Sequence, residues 1–138
     1  MTFRSLLVSI LTTDAQSAEA GSLGALLDHR EVAPYGVFFL APPKEPEFPL
    51  ITYFVNIETG KLPRIIPVNI TVWAEDDTYD TALQRIYTLL HNQQEKFITT
   101  TDFAIKRIEW NWESADQFDS AHRVYYRQAR YYFYAIKQ

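Results

Sequence analysis

The chain has 138 residues, with 13 Lys and Arg against 17 Asp and Glu, a formal charge of -4, and 47% apolar residues. That length makes one ordinary domain, 1–138, with enough apolar material for a core of its own. The acidic balance excludes a nucleic-acid or membrane binder driven by bulk positive charge, and the absence of cysteine excludes disulfides, thiol catalysis and Cys-based zinc sites.

Near the start of the chain Phe3, Leu6, Leu7, Ile10 and Leu11 recur at helical spacing and Thr2 can cap the first turn, which predicts a helix over residues 3–13. Arg4, Ser5 and Ser9 interrupt the apolar run, so it reads as an amphipathic helix of the domain and not as a signal peptide. No other stretch approaches the roughly 18 apolar residues that span a bilayer, and a soluble protein is expected. Residues 14–31 are small and polar, with Gly21 and Gly24, and predict a loop holding one helical turn at Leu23, Leu26 and Leu27.

β-formers follow over residues 35–40 and 50–57. Between them, residues 41–49 contain four prolines, which cannot donate to a ladder, so this segment is an extended surface loop. A second punctuated stretch covers residues 58–64. Residues 65–74 then alternate, with Val68, Ile70 and Val72 toward the core and Asn69, Thr71 and Trp73 on the other face. The carboxylates Glu75, Asp76, Asp77 and Asp80 come just before the periodic set Tyr79, Leu83, Ile86 and Leu90. They mark the start of a helix over 78–92, where the dipole favours negative charge.

Residues 105–112 alternate again, placing Ile108, Trp110 and Trp112 on one face, and residues 124–136 are rich in Tyr and Phe; the two form a terminal hairpin joined by a polar loop over 113–121. At about 3.3 Å per residue the last strand spans roughly 43 Å, longer than a globule of this size is wide. It must therefore bend, bulge or protrude. One expectation is that the distal half of the hairpin projects and carries Tyr125, Tyr126 and Arg127 to a partner; the alternative is a twisted or bulged strand within the sheet. The expected class is α+β: a mainly antiparallel sheet with an N-terminal helix and the helix near 78–92 packed on one face, plus the long C-terminal hairpin.

No pattern points to catalysis, a metal or a cofactor. His29, His91 and His122 are far apart, and none has a second ligand close by in sequence. The acidic run from Glu75 to Asp80 lacks the central Gly and final Glu of a calcium loop. Asp119, Ser120 and His122 have the residue types of a hydrolase triad but no Gly-x-Ser-x-Gly elbow. Glu109 and Glu113 form a carboxylate pair of the kind any acidic chain offers, and no Gly-rich phosphate loop is present. Five of the nine tyrosines fall between Tyr125 and Tyr134, interleaved with Arg127 and Arg130. Residues 106–137 carry six basic and four acidic groups, too small an excess for a nucleic-acid groove, so these aromatics fit a structural role or a protein contact better.

The order of these pieces, with "PEFPLITYFVN" leading into "IPVNITVWAEDDTYDTALQRIYTLLHN" and a final hairpin, resembles the tail-completion family of long-tailed bacteriophages. Those small head-to-tail joining proteins are similar in fold to tail terminators. The likeness covers roughly residues 3–136. It rests on Pro49, Leu50, Ile51, Thr52 and Tyr53, and on the Val68 to Ala74 strand that ends in Val-Trp-Ala before an acidic cap and helix. The Pro-rich segment is longer, and the last strand more aromatic, than the family pattern.

The resemblance implies a structural virion protein without catalysis. It would be a homo-oligomeric ring, commonly of six subunits, between tail tube and connector, with DNA passing through the lumen as cargo and no membrane involved. Within that picture Lys61 and Arg64 are candidates for contacts between subunits, alongside Tyr125, Tyr126 and Arg127. Glu58, Asp116 and Asp119 are candidates for the lumen or a ring face, since an acidic channel lets DNA slide. The alternative is a small enzyme or ligand-binding protein with a pocket lined by Trp110, Trp112 and residues 131–134; a nucleic-acid module using the same surface is the weaker third reading.

Overall fold

The computed structural model describes residues 2–28, 30–55, 57, 64–94, 98–100 and 102–137. Helix α1 (Phe3–Ala15) opens on a reciprocal cap: Ser5 N–H donates to Thr2 Oγ1 at 3.1 Å and Thr2 N–H donates to Ser5 Oγ at 3.0 Å. Of its predicted stripe, Phe3, Leu6, Leu7 and Leu11 are buried and Ile10 is partly buried against the core. Helix α2 (Leu23–Leu26) is the single turn expected in the polar stretch, capped by Ser22. It packs so close to the end of α1 that a Cβ at Gly24 would lie 1.9 Å from the Ser17 carbonyl oxygen. Only glycine fits there.

Among the described residues seven strands form one mixed sheet. In chain order they are β1 (Val37–Phe39), β2 (Leu50–Val55), β3 (Ile65–Ala74), β4 (Ile98–Thr99), β5 (Phe103–Glu113), β6 (Gln117–Asp119) and β7 (Val124–Lys137), with helix α3 (Thr78–Gln94) between β3 and β4. The spatial order is β1-β2-β3-β7-β5-β4, and β6 pairs with β7 beyond the end of β5. The β1–β2 pair is parallel and the others are antiparallel. The α+β class, the mainly antiparallel sheet, both helices and the C-terminal strand pair are as the sequence predicts.

Three expectations are corrected. The distal half of the last strand does not project: residues 125–134 pair one to one with residues 65–74 of β3, while β5 and β6 occupy the other side of β7. A projecting hairpin would leave those backbone groups without partners, and the sheet supplies them on both sides. The 113–121 segment is not simply a loop, because β6 forms within it. Its tight return to β7 is closed by the Arg123 N–H donating to the Asp119 carbonyl at 2.8 Å, with Arg123 at φ 57°. Finally, Trp110 and Trp112 do not share a face. A register shift between them pairs Trp110 with the core-facing Tyr131 and Trp112 with Arg130 on the opposite side, since the extra residue of a bulge reverses the alternation.

The helices cover one face of the sheet. Ile66, Val68, Ile70 and Val72 of β3 meet Ala129, Tyr131 and Phe133 of β7, Ile51, Tyr53 and Val55 of β2, and the apolar stripes of α1 and α3 in one cluster. Phe3 anchors α1 on this layer, edge to face with Phe133 at 5.1 Å between centroids. Among the described residues no helix lies on the other face.

Two substitutions test this packing. Ile70→Ala is expected to lower unfolding free energy by about 2–5 kcal/mol through lost burial and a cavity. Gly24→Ala is expected to lower it by about 1–3 kcal/mol by overpacking against backbone that cannot retreat. Chemical denaturation of each variant checks both, and a silent Gly24→Ala would contradict the α1–α2 approach.

Candidate functional site

The described residues place their polar chemistry at three locations. The first is a junction between helices. Asp14, in the last turn of α1, accepts from the Leu23 N–H at 2.8 Å and from Arg85 of α3 at 2.9 and 2.6 Å. Burial alone would raise the Asp14 pKa, but the Arg85 and Leu23 hydrogen bonds and the Arg85 charge together hold it below its ordinary value of 3.8. One carboxylate therefore fixes α1, α2 and α3 to each other.

The second location is the end of the sheet where α3 begins. Asp76 accepts from the Thr78 N–H at 3.0 Å, so this part of the acidic run serves the helix start as predicted. Arg127, on the helix side of β7, donates to Asp80 at 2.8 Å and to Asp116 through Nε at 2.9 Å, and its guanidinium lies over the Tyr79 ring. The hydrogen bonds from Arg127, then that from Tyr79, hold the Asp116 carboxyl below the usual range. At the β6–β7 turn His122 Nδ1 lies 2.7 Å from Asp119 Oδ2, Asp119 also accepts from the Ala121 N–H, and Phe48 from the Pro-rich loop packs edge-on against the His122 ring.

The third location is the sheet face that carries no helix. Trp73 stacks on Tyr126 at 4.6 Å and donates from Nε1 to Thr52 at 2.9 Å. Arg130 donates to Asn69 at 3.0 Å and approaches the Trp112 ring, while Arg107 lies 4.0 Å from the centroid of Tyr134. A shallow depression of about 200 Å³ on this face involves Thr52, Phe54, Asn69, Thr71 and Gln128. Its size falls below the roughly 300–1,000 Å³ of ordinary ligand pockets.

The candidate residues thus separate. Tyr125 is exposed and packs edge to face with Phe118 of β6 at 5.0 Å. Tyr126 belongs to the opposite face, and Arg127 is engaged within the chain by Asp80 and Asp116. Asp116 and Asp119 each already hold an internal partner. Arg64 is exposed at the start of β3, and its carbonyl accepts from the Ala135 N–H at 2.9 Å. Glu58, Lys61 and His29 lie outside the described residues. The aromatic pocket drawn from Trp110, Trp112 and residues 131–134 does not form as one lining. Trp110, Tyr131 and Phe133 belong to the helix side, and Trp112, Tyr132 and Tyr134 to the other.

Tyr131 is 1% exposed, its hydroxyl has no hydrogen-bond partner among the described residues, and burial pushes its pKa far above the ordinary tyrosine value. Among the described residues no three His, Asp or Glu converge in a way that could hold a metal, and no helix is long and apolar enough to cross a membrane.

Sequence reasoning missed the Asp14–Arg85 link, whose partners are 71 residues apart. A signal existed: an acid in the last turn of a helix faces the negative end of the dipole and calls for a compensating cation. Compared with known proteins, the chain matches no family model and no curated protein.

The lowered Asp14 pKa fixes a sign for pH dependence. Its ionised form stabilises the fold at pH above about 3.8, and that contribution is lost as pH falls through the lower folded value. Asp14→Asn is expected to cost about 1–2 kcal/mol at neutral pH, the low end for a charged hydrogen bond because Arg85 is partly solvated. The gap to the parent should narrow as pH drops below 3.8. Urea melts from pH 7 to pH 3 measure this; an equal gap at both ends would remove Asp14 from the account.

Proposed function

We propose that the protein is a structural component of a phage head-to-tail junction. It would assemble as a closed homo-oligomeric ring, of six copies on the family pattern, that completes the tail or joins it to the connector and lets DNA through. Its place would be the virion, after assembly from the host cytoplasm, with tail-tube and connector proteins as partners. No catalytic step and no cofactor enters this reading.

The observation that carries it is the arrangement of the two sequence pieces on which the resemblance rests. The Pro49–Tyr53 piece leads into and makes up most of β2, and the Val68–Ala74 piece makes up most of β3; the two strands pair antiparallel from Leu50↔Trp73 to Val55↔Val68, and β3 is followed in the chain by α3. The two pieces, separated by residues 54–67, make one contiguous strand–strand–helix unit, which supports reading the resemblance as one structural element. The split of the supposed aromatic pocket between two faces favours assembly over the ligand-binding alternative. The tyrosine-rich strand, expected to carry contacts at its tip, instead runs through the middle of the sheet, so ring contacts must come from the surfaces around it.

Native mass spectrometry and negative-stain electron microscopy of the purified chain, across concentration and with isolated phage tails present, test this. Closed rings with an open centre, free or on the tail end, are expected. A chain that stays monomeric and leaves tails undecorated overturns the proposal, and stabilisation by a member of a metabolite panel would then favour the ligand-binding alternative.

A further inference from the structure

Among the described residues, six of the eleven exposed large apolar side chains lie toward the two lateral sides of the sheet. Phe39, Leu40 and Phe54 lie on the β1–β2 side, with Leu40 60% exposed, and Trp110, Trp112 and Phe118 lie on the β5–β6 side, with both tryptophans 43% exposed. The same two sides carry the outer edges of the sheet, which the described strands cover only in part. Among the described residues no strand pairs with the outer edge of β1, where the Val37 N–H donates to the Pro34 carbonyl and the Phe39 carbonyl accepts from the Ala41 N–H, so the Val37 carbonyl and the Phe39 N–H are the groups left to pair; described β4 residues pair with β5 only at Ala104 and Ile105, and no described strand lies beside residues 109–113. Exposed edges with apolar side chains are templates for pairing with another chain.

The geometry points to these two edges as the two halves of one head-to-tail contact between copies of this chain, β5 of one copy lying against β1 of the next. Three observations favour a second copy as the occupant. The first is direction. β1, β2 and β7 run one way and β3 and β5 the other. Two copies set side by side with their helices on the same face therefore bring β5 and β1 together antiparallel, the more stable pairing.

The second is register. Partners across the sheet align Phe39, Tyr53, Ile70, Ala129 and Glu113 in one row, and Leu40 and Trp112 sit one position along from its two ends. A neighbour that continues this row without stagger brings its Phe39 and Leu40 to Glu113 and Trp112.

The third is charge. Arg4 lies 4.3 Å from the centroid of the Phe39 ring on the helix side, and Glu113 is exposed on that same side, opposite the core-facing Ala129. Opposite charges then face each other across the contact. Pairing β1 with β1 would instead bring two Arg4 side chains together and leave every β5 edge uncovered. Only the unlike pairing covers both edges of every copy, and such a heterologous contact closes into a ring when its rotation permits. The inference rests on the ring reading above and supplies its interface.

The chain contains no cysteine, so Leu40→Cys and Trp112→Cys can be introduced at exposed sites without competing thiols. Under mild oxidation an equimolar mixture of the two single variants should give mixed disulfide dimers, each variant alone should stay uncross-linked, and the double variant should give covalent closed rings. Separately, Arg4→Glu and Glu113→Arg should each weaken association by about tenfold, and their combination should restore it. Normal oligomers without mixed disulfides, or disulfides within a single variant alone, overturn this interface and leave the ring reading standing. Mixed disulfides in a double variant that grows only into open filaments support the interface and overturn the ring. A combined charge variant weaker than either single one removes the Arg4–Glu113 contact.

Discussion

The architecture depends on hydrogen-bond satisfaction along both sides of β7. This fourteen-residue strand is bordered by ten paired residues of β3 on one side and by β5 and β6 on the other, so its backbone groups find partners without relying on solvent. The placement of every other element follows. β3 presents its Val and Ile row to the helices because it is locked in register to β7, β2 inherits its register from β3, and α3 crosses back over the layer those strands define. A one-residue slip of β7 would turn Ala129, Tyr131, Phe133 and Ala135 out of the core together.

Around that strand the molecule divides its labour by face. The helix side is apolar and fixed by a few polar contacts at its margins, where Asp14 joins three helices and Arg127 ties the start of α3 to the turn before β6. The opposite side is a mosaic of stacked rings, guanidinium groups and short polar side chains, largely satisfied within the chain. Exposed large apolar side chains stand instead at the lateral rims, beside the outer edges of β1 and β5.

Much of this fold is legible in the sequence, and the exceptions share a physical cause. The 3.6-residue spacing of Leu6, Leu7 and Leu11, the alternation of Val68, Ile70 and Val72, and the acids ahead of Tyr79 are local patterns imposed by a single water-to-core boundary, and each corresponds to an observed element. What the sequence concealed depends on partners distant along the chain. β6 is three residues of which two are exposed, so no burial pattern marks it, and it is a strand only because β7 lies beside it. The bulge between Trp110 and Trp112 leaves the apolar alternation intact on paper while reversing it in space. Charge and aromatic density are what mark the candidate residues in the sequence. Density proved to measure the centrality of β7 rather than its exposure, and the charges of Arg127, Asp116 and Asp119 were already matched within the chain. The edges were not legible, because an edge is defined by which strand is missing beside it.

The distribution of the three tryptophans has an optical consequence. None belongs to the buried cluster; Trp73 lies against Tyr126 on the helix-free face, and Trp110 and Trp112 stand at the β5 rim. The interior relies on tyrosine, phenylalanine and aliphatic residues. Intrinsic indole emission from this molecule is therefore dominated by its periphery, where water reaches two of the three rings. Its colour reports what lies against the rim of the sheet more directly than whether the interior is intact.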